Sequence, residues 1–81
     1  MSKIKNKENI KKLQHRLARV EGQIRGINKL LENEADCKAV AQQMTAARKA
    51  LDKAFFTMVG CMIEQGDTPP EKISEILVKL A

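Results

Sequence analysis

Ile10-Lys-Lys-Leu13-Gln-His-Arg-Leu17-Ala-Arg-Val20-Glu-Gly-Gln-Ile24-Arg-Gly-Ile27-Asn-Lys-Leu-Leu31 sets an apolar residue at 10, 13, 17, 20, 24, 27 and 31. Steps of three and four alternate, a seven-residue repeat that draws one apolar seam along an α-helix and cannot fit a strand, whose side chains repeat every two. Gly22 and Gly26 interrupt the seam. Each costs about 1 kcal/mol of helix propensity, which close approach of another backbone would offset. The pattern predicts a helix over 7–32.

Downstream, Glu32-Asn-Glu-Ala-Asp36 is a short polar break. Asn33 suits a helix stop and Asp36 an N-cap. Cys37, Val40, Met44, Ala47, Leu51, Ala54, Met58, Cys61 and Gln65 then share a second three-four stripe, which predicts a helix over 37–65 ending at Gly66. Two long helices on so short a link form an antiparallel hairpin. Thr68-Pro69-Pro70-Glu71 reads as a capping box, with Thr68 as cap, Pro69 in the first turn and Glu71 three residues on. Ile73, Ile76, Leu77 and Leu80 follow on one face, so a short third helix is expected over 69–80. The expectation is an all-α, three-helix protomer comprising one domain, 1–81, with no strand, internal repeat or helix-turn-helix pattern.

Composition points beyond one chain. Of the 81 residues 43% are hydrophobic, yet only Phe55 and Phe56 are aromatic. The second helix is a rod of roughly 43 Å, which one helix of similar length and one short one cannot cover. Self-association is therefore expected. No apolar run approaches the ~20 residues of a membrane span, and the basic start, Met-Ser-Lys-Ile-Lys-Asn-Lys, lacks the apolar stretch of a signal peptide. A cytoplasmic place without membrane contact is expected, where two cysteines serve as sensors, ligands or core rather than as a structural disulfide.

Charge is uneven. Residues 1–32 carry a net +6 and residues 33–81 a net −1. Lys12, Arg16, Arg19 and Gln23, each one residue before a seam position, make a polar row about 100° round the first helix, and Lys5 extends it. Such a row is either a solvated face or a footprint for a polyanion, and arginine's planar fork of donors suits phosphate.

Catalysis is poorly served. His15 is the one histidine and has no evident acid partner, and neither a nucleophile elbow nor a glycine-rich phosphate loop is present. The cysteines lie 24 positions apart, about 36 Å along one straight helix, so they cannot meet within a chain. Two antiparallel copies of the second helix crossing near Lys49 would bring Cys37 of one level with Cys61 of the other, twice per dimer. Met62 adds a soft thioether beside that place and Met58 another one turn away. Cys61, Met58 and Met62 would equally serve as core filler. Cys37 stands in the first turn of its helix, whose unpaired N–H groups and dipole attract negative charge and suit a reactive thiolate.

Arg16-Leu-Ala-Arg-Val-Glu-Gly-Gln-Ile-Arg-Gly-Ile27, then Asp36-Cys37, Gln42-Gln43-Met44 and Ala46-Ala47-Arg48, resemble the CsoR/RcnR/FrmR family of bacterial repressors that sense metals or reactive small molecules. The resemblance covers about residues 7–65 without gaps. It implies an antiparallel four-helix-bundle dimer, two of which form a flat tetramer, and binding of double-stranded operator DNA through Arg16, Arg19 and Arg48. It also implies an inducer that acts at Cys37 and lowers affinity for the operator. The copper branch adds a histidine and a cysteine on helix 2 of the partner, and those positions here are Met62 and Gly66. The nickel and cobalt branch needs histidines where Met62 and Lys3 stand. The formaldehyde branch has proline in place of Ser2, and the persulfide branch has its second cysteine at Gly66, where this chain offers Cys61 instead. Three readings of the inducer remain. Reactive sulfur or an oxidant could join Cys37 to Cys61 of a second copy, Cu(I) could bind Cys37, Cys61 and Met62, or an electrophile could modify Cys37 alone. No cofactor is otherwise required. The competing class is a helical module that binds another protein.

Overall fold

The structure, a computed structural model, describes residues 3–80; Ser2 and the side chain of Leu80, both used above, lie outside what it describes. Three helices follow one another: α1 (Lys7–Glu32), α2 (Cys37–Gln65) and α3 (Pro70–Leu80). No strand occurs among the described residues. The α1–α2 hairpin dominates, and α3 packs against α2 alone. The outline is a slab of 48 × 27 × 15 Å.

Local chemistry explains each boundary. The Asn6 side-chain oxygen accepts from the N–H groups of Glu8 (2.9 Å) and Asn9 (3.4 Å), which caps α1. At the other end the Ala35 N–H donates to the Leu30 carbonyl (2.9 Å) and the Glu34 N–H to the Leu31 carbonyl (3.1 Å). These two bonds make a Schellman stop, with Asn33 as the cap residue. Its left-handed position is taken by Glu34 at φ 53°, where glycine is usual. The α2 helix ends on Gly66 at φ 72°.

Two expected caps differ in detail. Asp36 holds the N-cap position of α2 and its carbonyl accepts from Val40, but its carboxylate makes no cap bond. The third helix begins at Pro70 rather than at 69, because the Pro69 carbonyl accepts the first helical bonds, from Lys72 (3.0 Å) and Ile73 (3.2 Å). The first helical bonds thus fall on the carbonyl of Pro69, one residue after Thr68.

Burial splits the seam of α1 into two rows. Leu13, Val20 and Ile27 are buried against α2, which answers with Ala47, Ala54 and Cys61. Leu17, Ile24 and Leu31 remain 47–54% exposed, and Met44 and Leu51 of α2 are 50% and 48% exposed. Helical phase accounts for this. At about 100° per residue, Leu17 and Ile24 are turned by roughly 40–60° from Val20, and Met44 and Leu51 by roughly 60–80° from Ala54. In an antiparallel pair, turns of the same sense carry side chains to the same side. Leu17, Ile24, Met44 and Leu51 therefore share one face of the slab. The two glycines lie elsewhere. A Cβ on Gly22 would meet only the Arg25 guanidinium at 3.7 Å, and one on Gly26 would meet nothing within 4 Å. Within the chain no close helix approach explains them.

Candidate functional site

The side of the hairpin opposite the apolar face is cationic. Arg16, Arg19 and Gln23 of α1 and Ala46, Lys49, Ala50 and Lys53 of α2 line a groove of about 330 Å³ between the two helices. The two alanines keep the α2 wall low, so the long basic side chains stand around the opening. A second hollow continues along α1 past Glu8, Lys11, Lys12 and His15, and shares Arg16 and Arg19 with the first. Arg16, Arg19, Lys49 and Lys53 are exposed. The ion pairs among the described residues use Lys5, Arg25, Lys72 and Lys79 instead, so these four cations have no carboxylate partner.

Of the residues read as DNA contacts, Arg16, Arg19 and Gln23 meet at the groove and Lys12 stands in the adjoining hollow. Arg48 is exposed but does not line either. Lys49 and Lys53 do line the groove, although the basic row read from the sequence lay on α1 and the one α2 residue named with it was Arg48. Their signal is the spacing 46, 49, 50, 53, one face of α2 across two turns. Gln23 is half-buried, and its Oε1 is shut off from solvent without a donor.

The sulfur groups lie elsewhere. Cys37 is exposed at the first turn of α2 and Cys61 is buried. Cys61 points into the α1–α2 seam with 4% of its surface exposed, in helical phase with Ala47 and Ala54. Met62, half-buried, is turned toward the apolar face, as Cys37 is. Cys37 and Met62 therefore share a side of α2, at its two ends.

The register near Cys61 is set by Gln65. Its Oε1 accepts from the Lys5 N–H (2.9 Å) and its Nε2 donates to the Lys3 carbonyl (3.1 Å), which ties the segment before α1 to the end of α2. Lys5 also pairs with Asp67 at 3.7 Å. That register sets Asn9 level with Cys61. Asn9 is the buried polar residue of the seam, 8% exposed, and its Nδ2 has no acceptor.

No three His, Cys, Asp or Glu side chains cluster to hold a metal ion among the described residues. His15, the one imidazole, belongs to the basic hollow and not to either thiol. A thiol and a thioether are soft donors, but within one chain Cys37 and Met62 stand at opposite ends of α2.

No described helix is long and apolar enough to cross a membrane. A family model described as "Metal-sensitive transcriptional repressor" matches residues 9–80. No curated protein and no solved structure gives a match.

Proposed function

Because this chain belongs to the metal-sensitive transcriptional repressor family, whose members regulate transcription and are not enzymes, we propose that it is a self-associating repressor. In this reading it grips duplex operator DNA with its basic face and releases it when an inducer modifies Cys37. Family membership supports DNA binding and self-association in general terms, and a cytoplasmic place beside the chromosome is part of this reading. The observation that carries the finer reading is the two-sidedness of the hairpin. One face holds unpaired cations around the groove, and the opposite face leaves large apolar side chains in water.

The apolar face is the surface for a second copy. Pairing two such faces makes a four-helix bundle and covers Leu17, Ile24, Met44 and Leu51 while leaving both grooves open, and two such dimers give a tetramer. Phosphates then meet Arg16, Arg19, Lys49 and Lys53, with Lys12 and Gln23 alongside and Arg48 on the flank. With α2 helices antiparallel across the dimer, Cys37 of one copy comes level with residues 61 and 62 of the other.

Cys37 is the thiol an inducer reaches first, because in the single chain it is exposed at the very end of α2 while Cys61 is buried in the seam. Reaction with sulfane sulfur, an oxidant or an electrophile begins there. A bridge to Cys61 of the second copy requires the α1–α2 seam to open, since Cys61 is buried in it and a disulfide needs Cα atoms within about 7 Å. Cu(I) is the second reading, favoured by the placing of Met62 on the same side of α2 as Cys37. It draws on Cys61 only if the seam opens.

Titrating duplex DNA against the protein at two salt concentrations tests the DNA reading. Binding should weaken steeply with salt and discriminate one operator from random duplex. Weak, sequence-blind binding would favour a protein-interaction module. Cys37→Ser should keep DNA affinity and abolish the inducer response.

A further inference from the structure

The α1–α2 groove has a shape that a duplex does not fill. It is a slot between two adjacent helices, about 330 Å³ in volume, with Gln23, Ala46 and Ala50 among its lining and four cations around them. A DNA duplex is a broad convex surface, and a sugar separates each phosphate from the next along the strand. It can set a phosphate or two on the rim but cannot bring several to one point. A di- or triphosphate carries its charges on neighbouring phosphorus centres and fits a volume at the small end of ligand sites.

Three features of the groove point the same way. Arg16, Arg19, Lys49 and Lys53 lack carboxylate partners, so like charges face each other across the slot with no neutralising group of the chain's own. Gln23 adds an acceptor oxygen that is buried without a donor. As placed it is closed off from the slot; turned into the slot, it would accept from an N–H or O–H group where a phosphate oxygen would be repelled. The slot also opens on the face away from the apolar rows, so pairing of two chains leaves it accessible.

We propose that this groove is a binding site for a small polyphosphate ester of the nucleoside di- or triphosphate class. Its phosphates sit on Arg16, Arg19, Lys49 and Lys53, and a hydroxyl or amino group of the ester reaches the Gln23 amide as that side chain turns into the slot. Arg16 and Arg19 serve both ligands, so the ester and DNA exclude each other. That competition rests on the DNA reading above, but occupancy of the groove by the ester does not.

Calorimetric titration of the whole protein without DNA, at about 0.15 M ionic strength where the screening length is roughly 8 Å, tests the site. Adenosine triphosphate and inorganic tripolyphosphate are the two probes. Both should saturate at one per chain, with the nucleotide several-fold tighter. Lys49→Ala with Lys53→Ala should weaken both at least tenfold, circular dichroism confirming intact helices. Gln23→Ala should erase the nucleotide's margin and keep tripolyphosphate binding. Lys29→Ala with Lys38→Ala, which removes the same charge outside the groove, should change affinity less than twofold. Unsaturable binding, equal losses from the two lysine pairs, or a nucleotide no tighter than tripolyphosphate would overturn the proposal. Because DNA is absent, such a failure leaves the DNA reading standing; loss of DNA binding alone would leave this one standing.

Discussion

Replacing Ile24 tests the pairing face directly. Ile24 is 50% exposed in the single chain, between Leu17 at 47% and Leu31 at 54%. Fully burying such a side chain is worth about 1.5–3 kcal/mol, so covering the exposed half contributes about 1 kcal/mol. A two-fold interface uses each position twice. Ile24→Ala should therefore cost the dimer about 2 kcal/mol, a roughly 30-fold weaker association. Ile24→Asp adds two carboxylates to an apolar contact, at a cost of several kcal/mol more, and should leave no dimer at micromolar concentration. Sedimentation equilibrium over a range of loading concentrations measures both, with helicity followed in parallel. The same arithmetic leaves Lys38→Ala without effect. If Ile24→Asp keeps its helices and sediments like the parent protein, the apolar face is not where copies meet.

Three further outcomes follow from named residues. Lys49→Ala and Lys53→Ala should each make log affinity for DNA fall less steeply with log salt, by about 0.9 for each phosphate no longer neutralised; unchanged slopes would remove α2 from the DNA surface. Glu34→Gly relieves a left-handed residue at the α1 stop and should raise stability by about 0.5–1 kcal/mol, a melting temperature up by roughly 4 °C; a lower one would show the Glu34 side chain to be stabilising. A thiol reagent should modify Cys37 immediately and Cys61 at least ~100-fold more slowly, because reaching a seam residue requires local opening of about 3 kcal/mol. Equal rates would mean that the seam is already open near Cys61.

The helices were legible because their signals are local. The three-four spacing, Asn33, Gly66 and the polar break each act within a turn or two of themselves. What could not be read was occupancy. Val20 and Ile24 are equally apolar and four residues apart, so periodicity alone cannot tell which row α2 covers. The same ambiguity hid the difference between Cys61 and Cys37, which the stripe placed together and the hairpin separates by roughly 120° of helical phase. Lys49 and Lys53 were invisible as anion contacts because the negative charge of residues 33–81 diluted them in any count along the chain. Asn9 gave no sign of burial, since nothing about an asparagine next to a cap suggests a seam. The left-handed Glu34 was hidden for the opposite reason, as glutamate does not advertise that conformation.

The slab is one layer of helices thick, 15 Å in its shortest dimension. Its cationic and apolar surfaces are therefore opposite flanks of the same two cylinders, with no further layer between them. A roll of α1 about its own axis by roughly 20° would swing groups at the rim of a helix ~11 Å in diameter through about 2 Å. Arg16 and Arg19 would move one way as Leu17 and Ile24 moved the other. Any repacking that turns a helix against its neighbour must re-aim the arginines at once, with neither hinge nor relay in between.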